Sequence, residues 1–197
     1  MSILSFKANL LGGGSRANQF RVTLSFPTFV AGGAAAASKS QFLCEAASLP
    51  GQTVNVTSVM YRGRQVKLAG ERMFDNWTIT VINDADFAIR NAFESWMNTI
   101  NNLQENTGTT NPLSYTANMQ VEQLDRNGVS LMTYTFADAW PTILAPIPLS
   151  FATNDVVETF DVQLAYSWFN TSGGGGSGVS VTAGIATPAG SIGASLP

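Results

Sequence analysis

The stretch from Tyr61 to Asp84, YRGRQVKLAGERMFDNWTITVIND, constrains this chain more than any other. Its second half alternates. Trp77, Ile79 and Val81 fall on one side of an extended backbone, Thr78 and Thr80 on the other. A period of two with one apolar face is a strand that needs a core behind it. The first half gathers Arg62, Arg64, Lys67 and Arg72, and Ala69-Gly70 reads as a turn that ends the basic run. Tyr61–Leu68 is expected to return antiparallel to Thr53–Val59 as a long hairpin. A two-stranded hairpin this polar does not hold itself rigid in water. A basic arm faces something acidic. The arm is therefore read as an assembly device. Arg62, Arg64 and Lys67 would meet acidic residues of a partner, Glu71 and Asp75 would steady the base, and Arg72 would complete the interface.

The rest of the chain repeats the strand signal. Phe20, Val22, Leu24 and Phe26 alternate with polar residues up to Pro27. Gln41–Ala47 is a second strand, ended by Leu49-Pro50-Gly51. Between them AGGAAAAS, residues 31–38, reads as a surface loop, with a short helix as the alternative. Asp84 or Asp86 can cap a helix. Ile89, Phe93, Trp96, Met97, Ile100 and Leu103 then form one apolar stripe at helical spacing. Leu113 to Glu122 alternates as a long strand. Asp125-Arg126-Asn127-Gly128 is a hairpin turn, and Ser130–Phe136 is the partner strand. Trp140-Pro141 opens an irregular run with Pro146 and Pro148. Glu158–Phe169 carries Phe160, Val162, Leu164, Tyr166 and Trp168 on one side. The expected fold is mainly β (β-rich α+β). It has two packed antiparallel sheets or a flattened barrel, one amphipathic helix and a long protruding hairpin. Trp77, Phe93, Trp96 and Trp168 are its core anchors. Residues 1–169 form one domain, whose residues 1–19 read as a flexible arm around Gly12-Gly13-Gly14, and 170–197 form a Gly/Ser-rich tail.

Composition excludes several functions. Charged residues are 12% of the chain and the formal net charge is −3, which disfavours a protein that grips nucleic acid. So few charges suggest a surface largely covered by other chains. There is no histidine, the commonest general base and metal ligand. The single cysteine, Cys44, allows no disulfide framework within the chain and reads as a core thiol. Asp84 and Asp86 could offer oxygen ligands to a hard cation, but helix capping explains them equally well. No catalytic set, cofactor motif or metal site emerges, so the chain reads as a non-enzyme. No signal peptide is visible, and no stretch approaches the ~20 apolar residues of a membrane span. A soluble protein from a reducing compartment is expected.

Four segments, in order, resemble the tail tube proteins of T4-like contractile-tailed bacteriophages. They are RANQFRVTLSF, CEAASLPGQ, the organising stretch itself, and AWPTILAPIPLSFATNDVVETFDVQLAYSWF. The residue 31–38 insertion and the tail depart from the family pattern. The resemblance implies six chains in a ring and rings stacked into a hollow tube, with the basic arm between rings. It implies a virion tail assembled in the host bacterial cytoplasm, with tail sheath, baseplate and tape measure proteins as partners. DNA would pass through the lumen without specific binding. Ser114, Thr116, Asn118 and Gln120 are candidate lumen residues, since a lumen poor in Lys and Arg lets DNA slide. Two alternatives stand beside this reading. One is the inner tube of a phage-derived secretion or injection machine delivering proteins. The other is a monomeric β-rich binding module. The tail's sparse apolar residues, Val179, Val181 and Ile185, suggest docking on a neighbour. Deleting residues 173–197 should leave the subunit folded by circular dichroism while altering tube stability. A truncated protein that cannot fold would place the tail in the core.

Overall fold

The computed structural model describes residues 2–10 and 14–173. The readings of Gly12-Gly13 as an arm and of residues 174–197 as a docking tail lie outside the described residues. The elements run α1 (Ile3–Asn9), β1 (Phe20–Thr23), α2 (Gly33–Leu43), β2 (Cys44–Ala47), β3 (Gln52–Tyr61), β4 (Arg64–Phe74), β5 (Trp77–Ile82), α3 (Ala88–Ile100), α4 (Pro112–Tyr115), β6 (Ala117–Leu124), β7 (Ser130–Leu144), β8 (Thr159–Ala165) and β9 (Trp168–Gly173). The expected strand-rich fold is what forms: a seven-stranded antiparallel sheet, a separate two-stranded hairpin and no closed barrel.

The sheet is organised by β7. Its first half pairs with β6 on one side and β9 on the other, and its second half pairs with β8. Two four-stranded halves therefore share β7: β1-β6-β7-β9 and β7-β8-β5-β2. The strand bends between them at Asp138, whose φ is 55°. The register survives the bend, since Ala137 faces Trp168 and Trp140 faces Ala165. One hydrogen bond, from the Ser167 N–H to the Ala137 carbonyl at 3.0 Å, closes the gap.

Aromatic packing shows how far the sheet folds over. Trp77 faces Leu164, which faces Pro141, so Trp77 lies two strands from β7 and five residues along it from Phe136. In a flat sheet about 19 Å would separate them, from ~4.8 Å per strand and ~3.3 Å per residue. Their ring centroids are instead 4.2 Å apart and nearly parallel. The two halves face each other across one core that includes Val22, Met119 and Val121 on one side and Ile79, Val81 and Val162 on the other.

Several elements differ from the sequence reading. Residues 2–10, expected within an arm, hold α1, capped by the Ser2 hydroxyl accepting from the Ser5 N–H at 3.1 Å. The strand expected to reach Phe26 ends at Thr23, and the Leu24 N–H turns to the buried Ser40 hydroxyl. The loop expected at 31–38 is part of α2. Its alanines have the best intrinsic helix propensity, and Ala36 and Ser40 are buried against the core. Gly33 has no room for more, since a Cβ there would meet the Phe26 Cβ at 2.8 Å. This helix takes up Gln41-Phe42-Leu43 and leaves only Cys44–Ala47 for the strand. Gly70 does not break the hairpin. It lies within β4 at a bulge, with the Asn55 carbonyl 2.9 Å from where a Cβ would sit. The actual turn is Arg62-Gly63, both at positive φ, the two-residue geometry that suits strand twist.

Downstream, β7 continues past Trp140-Pro141 to Leu144, with its register against β8 shifted between Pro141 and Ile143, and the irregular run with Pro146 and Pro148 follows it. Residues 112–115 form a helical turn capped by Asn111, because Pro112 suits a first helical position. Leu103 lies beyond the end of α3 and is exposed. Ile89, Phe93 and Trp96 are buried, with Phe26 set edge-on against both Phe93 and Trp96. The strand expected over 158–169 is two strands. The break at Tyr166-Ser167 resets the alternation, so Phe169 turns to the core and Trp168 turns out, 46% exposed. Trp168 is not a core anchor. β9 also runs on to Gly173, which moves the end of the folded unit past residue 169.

Asp84 and Asp86 have a partner that sequence did not suggest. The Lys39 ammonium of α2 reaches both carboxylates, at 2.5 and 2.6 Å. Asp84 also accepts from the Ala88 N–H at 3.1 Å, at the start of α3. The site read as a possible cation site holds the chain's own cation. Lys39, then the neighbouring Asp84, holds the Asp86 carboxyl below its usual range. The two aspartates hold the Lys39 ammonium above its usual range. A lowered acid contributes stability above its unfolded pKa and loses it as pH falls through the folded value. A raised base contributes below its unfolded pKa and loses it as pH rises through the folded value. The clamp is therefore complete between about pH 5 and 10.

Two outcomes are expected. Phe136→Ala should cost about 3–5 kcal/mol in urea unfolding, because it empties the seam between the halves. Protection of the α2 amides, measured against their intrinsic exchange rates, should fall below about pH 4, and Lys39→Met should lower it at neutral pH and flatten that dependence. A pH-independent wild-type α2 would rule out the clamp's role.

Candidate assembly surfaces

Among the described residues, the hairpin of β3 and β4 has support only at its root. Every residue of β3 is exposed. At the root, Phe74 packs against Tyr166 and Phe169, with ring centroids 5.7 and 5.6 Å away, which ties the arm to the bend in the sheet. Burial first, then the Asp75 carboxylate, pushes the Tyr166 phenol up.

The cross-strand register divides the arm into two faces. Tyr61 faces Arg64, Val59 faces Val66, Thr57 faces Leu68, and Met73 lies further down beside Asn55. That face joins Tyr61, Val59, Val66, Leu68 and Met73 to the polar Thr53, Asn55, Thr57 and Arg64. The other carries Lys67 opposite Ser58 and Arg72 opposite Val54, with Val56 between them and Met60, opposite Gln65, nearer the turn. Arg62 sits in the turn with its guanidinium 5.4 Å from the Tyr61 ring centre. The expected basic residues are all exposed, but they do not form a single patch. The arm is also less polar than read: Val59, Val66, Leu68 and Met73 are exposed apolar residues on one side. Alternation from Arg64 to Leu68 carried that signal, and the charges obscured it. Glu71 and Asp75, expected at the base, form no ion pair among the described residues. The ion pairs among the described residues are Arg21–Glu122, Lys39 with Asp84 and Asp86, and Arg90–Glu94, none of them on the arm.

The second surface is the outer face of the β1-β6-β7-β9 half. Two rows cross it in register: Arg21, Glu122, Thr133, Ser172 and Thr23, Gln120, Thr135, Asn170. These rows are polar, and the one arginine is paired with Glu122 at 3.6 Å. Gln120 donates to the Thr135 hydroxyl at 3.4 Å. Of the four residues expected on one polar strand face, Asn118 and Gln120 lie exposed on β6. Ser114 sits in α4 and Thr116 precedes β6, so neither belongs to the face. Sequence could not find Thr133, Thr135 and Asn170, because only the register sets them beside Gln120. The outer edges of β1 and β9 have no strand partner among the described residues. An open, flat edge is a site for pairing with another chain.

Cys44 is half-buried, and burial pushes its thiol up to about 12, far from a reactive thiolate. No group of three or more candidate ligands for a metal occurs among the described residues, and no helix there is long and apolar enough to cross a membrane. Trp77, Phe93 and Trp96, expected as core anchors, lie in the core.

Comparison with known proteins gives these surfaces a context. A family profile described as phage tail tube protein matches residues 15–172. The tail tube protein of Serratia phage KSP90 is 32% identical over 158 residues, covering 79% of this chain and 87% of that one. Tail tube protein gp19 of Enterobacteria phage T4 is 29% identical over 129 residues, covering 65% and 79%. A chain from the sheath-tube complex of an extracellular contractile injection system, PVC, in its extended state shares the fold. Its TM-score is 0.54 at 14% identity, over 88% of this chain and 99% of that one. With a profile match that spans both the folded sheet and the arm, the chain belongs to the phage tail tube protein family.

Proposed function

We propose that this tail tube subunit assembles into six-membered rings that stack into a hollow tube, and that the tube conducts DNA during genome ejection. The observation that carries this reading is the β1-β6-β7-β9 half-sheet: four strands, two open edges and one polar outer face. If β9 of one copy pairs with β1 of the next, six copies give about 24 strands. At ~4.8 Å spacing and ~45° tilt they close a backbone circle roughly 50 Å across. The polar rows would then face the axis, where the Arg21–Glu122 pair supplies no free cation to hold phosphate. Thr23, Gln120 and Asn118 would line it, with Thr133, Thr135 and Asn170. The partners in this reading are identical chains, the tail sheath, the baseplate and a tape measure protein, in a virion tail assembled in the host cytoplasm. A phage tube is favoured over a protein-delivering injection machine because the 29–32% identical relatives are phage proteins. The injection-system chain supports the fold alone.

The arm would lie between stacked rings. Its charges, Arg62, Arg64, Lys67 and Arg72, would set rotational register, since complementary charge fixes orientation more than affinity. Its apolar face supplies burial as well, so salt should weaken stacking only in part.

Electron microscopy of the concentrated, purified protein should show rings or tubes. A strictly monomeric mass at high concentration, with no tubes on any template, would overturn the proposal. Reversing Arg62 and Arg64 to Glu should shorten tubes severalfold while circular dichroism stays unchanged. Normal-length tubes from that variant would remove the arm from the stacking contact.

A further inference from the structure

Two apolar surfaces of this chain have no partner among the described residues. One is α1. None of its residues is buried. Ile3, Phe6 and Leu10 follow helical spacing along one side, flanked by Leu4, and Phe6 is 67% exposed. The other is the apolar face of the β3–β4 hairpin, with Leu68 52% exposed among Tyr61, Val59, Val66 and Met73.

The geometry points to a contact between them: α1 of one copy docks on the apolar face of the hairpin of a second copy. This inference rests on the self-assembly proposed above and names a partner for the arm. Three observations support it. The first is size. A seven-residue helix is about 10 Å long, and the three rows from Thr57/Leu68 to Tyr61/Arg64 span about 13 Å. At ~150–200 Å² per large side chain, each face exposes roughly 500 Å² of apolar surface. Their union removes about 1,000 Å² from water, the threshold for a specific interface.

The second is charge. Lys7 is the only charged residue of α1, and Glu71 is the only acidic residue of the hairpin. Neither has an ion-pair partner among the described residues. Docked near Leu68, the helix brings Lys7 to Glu71 and keeps it from Arg64 at the tip. The third is reach. Six residue steps separate Leu10 from Arg16, whose carbonyl is held by Gln123 of β6 at 2.8 Å, up to about 20 Å of extended chain by which α1 can leave its own subunit for an adjoining copy. A contact in which each copy gives one surface and receives on another is heterologous, the kind that closes rings or propagates stacks.

The test uses the full chain with Cys44→Ser as background. Phe6→Cys is placed in one isotope-labelled population and Leu68→Cys in another. The two are assembled together and treated with a short bis-maleimide. A second pair, Lys7→Cys with Glu71→Cys, leaves every apolar contact in place. Linked heavy–light dimers from either pair, dependent on assembly, are the expected result. Lys7→Glu added to the first pair should lower the yield about two- to fivefold, as for an exposed ion pair, and Glu71→Lys should restore it. Tubes that form without any cross-link overturn the docking and leave the tube reading standing. So does a doubly substituted chain that links only to itself. Failure to assemble at all overturns both.

Discussion

The contact between Trp77 and Phe136 is the point on which the rest of the structure depends. It joins two residues that a flat sheet would hold far apart. Without it the seven strands would be one open sheet with a greasy face, and neither the core nor the polar rows would exist as surfaces of a compact subunit. Folding the sheet over consumes the apolar face of both halves at once. The outer faces left over are polar, and the edges left over are short. Around the same seam gather Tyr166, Phe169 and Phe74, so the root of the arm is fixed by the cluster that closes the core.

Much of this was legible in the residues. The period-two pattern at Trp77–Val81 and the stripe from Ile89 to Ile100 specify a strand and a helix by themselves, because each needs only local spacing and a core behind it. The basic arm was legible as an unsupported element. What escaped was set by register or by packing at a distance. The bend at Asp138 has no signature, since an aspartate at positive φ reads like any polar residue in a strand. Its consequence, the outward turn of Trp168, could not be read either. The α2 segment looked like a loop because its glycines suggested irregularity, whereas one glycine caps the helix and the next gives way to Phe26. Ser114 and Thr116 continued an alternation that Pro112 had already converted to a helical turn.

The arm shows how composition can mislead when taken without register. Its charges dominate a linear reading, yet pairing sorts them: Lys67 and Arg72 go to one face, and the other gathers Val59, Val66, Leu68 and Met73 with Arg64 at its tip. A surface of that kind is held by burial and oriented by charge. The two contributions answer to different variables, temperature and ionic strength, and can be separated by changing one at a time.

The hairpin formed by β7 with β8 and β9 keeps one register through its bend, and this has a mechanical meaning. A force applied along β7 does not open the ladder pair by pair, as peeling from an end would. It loads the hydrogen bonds on both sides of the bend together, in shear. Slippage by a single residue would turn the inward side chains of both halves outward at once. A push delivered to one half of the subunit is thus passed to the other with little give. A column of such subunits would behave under axial load as a stiff rod and not as a stack of springs.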